Sequence, residues 1–99
     1  MVPGELVTQD PDAQLNYGFD WRPWLGEATI ASSLFEVTGP DDALLKDSPA
    51  VASDGQQTSV RLSAGTVGYT YEIVNRIVTN ETPPQTDDRA LRVQILEND

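Results

Sequence analysis

The stretch Tyr69-Thr70-Tyr71-Glu72-Ile73-Val74-Asn75-Arg76-Ile77-Val78-Thr79 alternates with a period of two. Tyr69, Tyr71, Ile73 and Ile77 share one face, while Glu72 and Arg76 share the other, with Val74 and Val78 between them. Only a strand puts such a series on one buried face, because successive side chains in a strand point to opposite sides. The same period recurs where Val60 and Leu62 flank Arg61, and where Leu91, Val93 and Ile95 alternate with Arg92 and Gln94. It recurs again where Ala31, Ser33, Phe35 and Val37 oppose Glu36.

Turn chemistry separates these runs: Gly39-Pro40-Asp41-Asp42, Ser53-Asp54-Gly55, and Gly65 through Gly68. A longer loop is expected from Asn80 to Asp88. Leu44-Leu45 and Ala50-Val51 read as two short strands on either side of Asp47-Ser48-Pro49. With 7 Gly and 7 Pro in 99 residues, turns are favoured over long helices. The expectation is an all-β, Ig-like sandwich of about seven short antiparallel strands, with a small closed barrel as the alternative. Its expected core is Ile30, Phe35, Val37, Val60, Leu62, Tyr71, Ile73, Ile77, Leu91, Val93 and Ile95. The final three strands are expected to follow the E, F and G strands of Ig-like domains. Tyr69 or Tyr71 would then form a tyrosine corner, or both are ordinary strand residues. Residues 1–16 are polar and turn-rich, and read as an extended N-terminal arm or an irregular first strand ahead of a domain at 17–99.

Both tryptophans fall in Tyr17-Gly18-Phe19-Asp20-Trp21-Arg22-Pro23-Trp24-Leu25. Asp20 to Gly26 is expected to form a single helical turn, with Asp20 as cap, Pro23 in the first turn and Gly26 closing it at positive φ. Trp21 and Trp24 would share a side. Three roles are open for these rings: closing one end of the sandwich, meeting a neighbouring subunit, or forming a sugar-stacking platform.

Charge narrows the function. Sixteen acidic and 6 basic residues leave a formal net charge of −10. Nucleic acid and anionic membranes are therefore not expected partners, since both select clustered Lys and Arg. Absent Cys and His remove thiolate chemistry, the usual general base and the commonest zinc ligand. No secretory signal and no spanning segment is expected.

Catalytic, cofactor and metal sites are not expected either. Gly65-Thr66-Val67-Gly68 has neither the lysine nor the helix of a phosphate loop, and the single lysine, Lys46, has no serine motif around it. Asp10/Asp12, Asp41/Asp42 and Asp87/Asp88 read as turn-capping or solvated carboxylates rather than glycosidase or calcium pairs. Thr86-Asp87-Asp88-Arg89 opens the last strand, where an Arg–carboxylate pair would fix the loop or meet a neighbour. The partner-binding candidates are Tyr17, Phe19, Trp21, Trp24, Pro83, Pro84, Asp87 and Arg89.

Several pieces in order carry a resemblance: Asp10-Pro11-Asp12; Tyr17-Gly18-Phe19-Asp20-Trp21 with Trp24-Leu25; Ala28-Thr29-Ile30-Ala31-Ser32-Ser33; Gly65 and Gly68; Tyr69-Thr70-Tyr71 with Asn75-Arg76-Ile77; and Thr86-Asp87-Asp88-Arg89. Together, from about residue 10 to residue 96, they resemble the fibre–tail adaptor-like family of small Ig-like structural proteins of tailed bacteriophages. Glu27-Ala28 stands where Gly-Asp is usual, and the middle from Gly39 to Gln57 departs from the pattern. The resemblance implies a virion component assembled in the host cytoplasm, contacting tail, fibre or capsid proteins in multiple copies. An adaptor between tail and fibre is the first role implied, with capsid cement as the alternative. A carbohydrate-binding β-sandwich module is the rival from another class.

Overall fold

Two sheets, laid face to face, account for 61% of the residues described by the computed structural model, which describes residues 5–97. The strands in chain order are β1 (Glu5–Gln9), β2 (Gln14–Asp20), β3 (Ile30–Thr38), β4 (Leu44–Val51), β5 (Gln57–Ala64), β6 (Thr70–Thr79) and β7 (Thr86–Ile95). A short helix, α1 (Arg22–Leu25), follows β2. One sheet has the order β1-β7-β6-β3 and the other β2-β5-β4. Strands β3-β6-β7 and β2-β5-β4 reproduce the C-F-G and B-E-D orders of the immunoglobulin sandwich. The expected all-β, Ig-like architecture is the one observed.

The period-two pattern decides which side chains meet between the sheets. Phe35, Val60, Leu62, Tyr71, Ile73, Ile77, Leu91, Val93 and Ile95 are all buried, and Ile30 and Val37 pack against them half-buried. Ile30 is out of phase with Phe35 and Val37. A β-bulge between Ile30 and Ser32 resets the phase and turns Ile30 inward. Phe19, Trp21, Leu25 and Leu44 complete the core.

Tyr71 forms the tyrosine corner. The Thr66 backbone N–H donates to its hydroxyl oxygen at 3.0 Å, and the hydroxyl donates to Asp41 Oδ1. Tyr69 is instead exposed. Gly39 is needed here, since a Cβ at that position would stand 2.4 Å from Tyr71 Cδ1.

Two segments differ in detail from expectation. The polar stretch before residue 17 takes the second of its two expected forms, a first strand rather than an extended arm: β1 pairs in parallel with β7, from Glu5↔Leu91 to Gln9↔Ile95. The expected domain boundary at residue 17 falls inside β2, which pairs with β5 from Gln14↔Ser63 onward. β1 is also the one parallel partner in a set expected to be wholly antiparallel. Its anchor is polar: buried Gln9 donates from Nε2 to Leu62 O (2.9 Å) and Ala13 O (3.2 Å) and accepts from the Tyr17 hydroxyl (2.8 Å). That pairing joins residues far apart in sequence, so local hydrophobicity does not report it. Residues 1–4 of the expected arm lie outside the described residues.

The second difference is β4. Leu44–Val51 is one strand, not two, because a bulge between Asp47 and Ala50 absorbs Ser48 and Pro49 within the pairing to β5. Ser48 takes φ 53° to do so.

Candidate docking surface

The end of the sandwich where β2 leaves for α1 concentrates the aromatic stretch. The N-cap is Trp21, not the expected Asp20, and makes no side-chain cap bond; Asp20 braces the turn from one residue earlier, its Oδ1 accepting the Arg22 backbone N–H at 3.0 Å and the Arg22 Nε–H at 2.9 Å. The Arg22 guanidinium beside it holds the Asp20 carboxyl down to about 2. Gly26 ends the turn at φ 60°. Gln56 then straps the following chain, donating from Nε2 to Gly26 O (2.7 Å) and Ala28 O (3.0 Å).

Trp21 is wholly buried. Its Nε1–H donates to Asn75 Oδ1 at 2.9 Å, and the Arg89 guanidinium lies 4.3 Å from its ring centroid. Arg89 Nη1 also donates to Asp20 O at 2.9 Å, so the cation closes over the ring and the end of β2 together. Phe19 is buried against Phe35, with ring centroids 6.0 Å apart. Phe19 and Trp21 therefore belong to the core and offer a partner no surface. The reason is parity: Phe19 faces inward on β2, and Trp21 turns under α1.

Trp24 is different. It is 39% exposed and stands edge-on to Trp21 at a centroid distance of 5.7 Å and an interplanar angle of 68°. One tryptophan supports the other from beneath. Arg22, Pro83 and Pro84 are exposed at this same end, where Asn80 bonds Thr29 just past α1 (Asn80 N to Thr29 O, 3.0 Å).

The remaining candidates divide. Tyr17 is half-buried, its hydroxyl committed to Gln9. Asp87 is half-buried and accepts the Asp88 backbone N–H at 2.9 Å. The Arg–carboxylate pair expected at the start of β7 joins Asp88 to Arg76 on β6 (2.7 Å and 3.0 Å), not to Arg89. It lies on the surface, where such pairs contribute little. The acidic pairs behave as turn carboxylates: Asp10 Oδ1 accepts the Asp12 N–H, and Asp41 accepts Ala43 N–H, Thr66 Oγ1–H and the Tyr71 hydroxyl.

The residue that sequence reasoning passed over is Asn75. It stands in the inward series Tyr71, Ile73, Asn75, Ile77, and a polar residue at an inward position is itself a signal. Its Oδ1 accepts from Trp21 and from Thr58 Oγ1 (2.6 Å), and its Nδ2 donates to Ser33 Oγ (2.9 Å) and Leu34 O (3.1 Å). The amide's hydrogen-bonding capacity is thus used across both sheets.

Between edge strands β3 and β4 lie two grooves, one of about 110 Å³ lined by Leu34, Phe35, Lys46 and Val60 among others, and an open one of about 250 Å³ along Ala31, Ser32 and Pro49. Sites for drug-sized ligands enclose roughly 300 Å³ or more.

The described residues form a small Ig-like sandwich with a half-exposed tryptophan at one end. A family model described as podophage GP4 fiber-tail adaptor protein gp77 matches residues 9–94. The chain belongs to this family, and membership makes it a structural protein of the bacteriophage virion. No curated protein matches it. The segments that carried the resemblance meet in space. Asp20 and Trp21, Asn75 and Arg76, and Asp88 and Arg89 are joined by the hydrogen bonds and ring contact described above.

Proposed function

We propose that this chain joins tail and fibre through protein–protein contacts and catalyses no reaction, with the Trp24 end as one docking surface. The observation that carries this is the edge-to-face pair: Trp21 is held by Asn75 and Arg89 and supports a half-exposed Trp24, at the end of the sandwich where Arg22, Pro83 and Pro84 are also exposed. Trp and Arg dominate the energetics of protein interfaces, and a ring already fixed in place loses little entropy on docking. Multiple copies in symmetric contacts need only such surface.

The test is assembly of phage particles carrying Trp24→Ala. Expected are particles whose tails form but whose fibres, or this chain itself, are lost. Normal fibre occupancy would reject the Trp24 surface. Density for this chain on the capsid shell alone would replace the adaptor role with cement. Glycan binding abolished by Trp24→Ala would favour the carbohydrate module instead.

A further inference from the structure

The opposite end of the sandwich carries a second, chemically different surface. β2 begins there and β7 ends there, so about 20 Å of strand separates it from α1 along β2 and about 30 Å along β7 from Thr86. The molecule is elongated to match, 48 × 23 × 20 Å.

Four large apolar residues are exposed at this end: Leu15, Val67, Tyr69 and Leu96, each 39–46% accessible. Backbone bonds tie the segments that carry Tyr69 and Leu96 to each other and to β1. Gly68 N–H donates to Ile95 O (2.8 Å), Ile95 N–H to Tyr69 O (2.9 Å) and Leu96 N–H to Gln9 O (3.0 Å). Leu15 pairs with Leu62, whose carbonyl Gln9 also holds.

Around them, the β1–β2 and β3–β4 connections and the chain after β7 bring Asp10, Asp12, Asp41, Asp42 and Glu97, with no Lys or Arg in those segments. At the Trp24 end, the connections hold Glu27, Asp54 and Glu81 together with Arg22.

We infer that the end formed by Leu15, Val67, Tyr69 and Leu96 docks a second virion protein through an apolar patch ringed by Lys and Arg. The inference rests on the adaptor reading and gives it a second pole. Charge selects the occupant. A copy of this chain, with net charge −10, would set carboxylates against carboxylates, whereas a basic rim would meet Asp12, Asp42 and Glu97. Like charges across a contact cost affinity, and complementary ones raise the encounter rate. The two poles then discriminate between partners: an aromatic knob at one, an acid-ringed aliphatic and tyrosine patch at the other.

The experiment uses whole particles. A photoreactive benzoylphenylalanine is incorporated at Tyr69 during phage assembly, and at Trp24 in a parallel preparation. Particle content is measured before irradiation, and cross-linked peptides are identified by mass spectrometry. Expected at position 69 is a peptide of another virion protein with Lys or Arg on both sides of the link, and a different protein from the one linked at position 24. Asp12→Asn, Asp42→Asn and Glu97→Gln together should lower that yield about tenfold, with an unchanged melting midpoint. A link to another copy of this chain overturns the inference. So does a peptide without basic residues, the same protein at both positions, or no link at position 69 in particles that contain the protein. Absence of the protein from particles rejects the adaptor reading itself, and the second pole with it.

Discussion

Trp21 Nε1 donates to Asn75 Oδ1 at 2.9 Å, joining the end of one sheet to the middle of the other. Both residues are wholly buried, and no buried side-chain N or O among the described residues lacks a partner. A satisfied polar network inside an apolar core fixes one arrangement of the sheets, because each alternative leaves donors unpaired.

Trp21→Phe is expected to destabilise the fold by about 2–4 kcal/mol, from lost volume and a lost donor. Asn75→Ala should cost about 3 kcal/mol, since it strands partners on β3 and β5 as well as Trp21. Because the two share a hydrogen bond, the double variant should fall short of the sum by more than about 0.5 kcal/mol. Urea unfolding of the four proteins measures this coupling, and full additivity would contradict it.

The two tryptophans should separate by substitution. Trp24→Ala removes an edge contact from a half-exposed ring and should cost about 1 kcal/mol or less, whereas Trp21→Ala should cost about 3–5 kcal/mol. Melting midpoints of the two purified variants decide this. A large loss on Trp24→Ala would make that residue core, and its assembly phenotype uninformative.

Tyr71→Phe keeps the ring but leaves the Thr66 N–H without its acceptor. The expected cost is about 1–3 kcal/mol, with faster amide exchange at Thr66. Unchanged exchange at that amide would show that the corner does not hold the turn.

Gly39→Ala places a methyl against the Tyr71 ring, at 2.4 Å from Cδ1. Overpacking of this kind is expected to cost about 1–3 kcal/mol, and thermal unfolding reads it directly. In a Gly39→Ala/Tyr71→Ala double variant the Gly39 penalty should vanish.

Asp20 is expected to titrate at about 2, chiefly through its hydrogen bonds with Arg22. The Asp41 carboxyl is also held below the usual carboxylate range, first by the Thr66 hydroxyl and then by Tyr71. Carboxylates depressed on folding stabilise the native state above their unfolded pKa, about 3.9. That contribution is lost as pH falls through the folded value, so it should be flat above about pH 5 and decline below about pH 4. Carboxyl NMR titration checks both groups. Arg22→Gln should move Asp20 back toward the ordinary value, and Thr66→Ala should do the same for Asp41.

Alternation in β3, β5, β6 and β7 was enough to name the all-β class and nine buried core residues, because period two is a local property of a strand with one buried face. The turn at Asp20–Gly26 was equally legible, since Pro23 in the first turn and Gly26 at positive φ are written in single residue types, although its cap is Trp21 and not Asp20. Tertiary structure alone decided the rest. β1 looks like a polar arm until Gln9 meets Leu62 and Glu5 lies beside Leu91. Which tryptophan is core and which is surface depends on Asn75 and Arg89, more than fifty residues away in the chain. The acid-ringed end exists only because Leu15, Val67, Tyr69 and Leu96, scattered along the sequence, are brought to the same end of the sandwich by the strand order. Strand periodicity and turn chemistry act between near neighbours, whereas exposure, polar satisfaction and surface patches are set by contacts between distant segments.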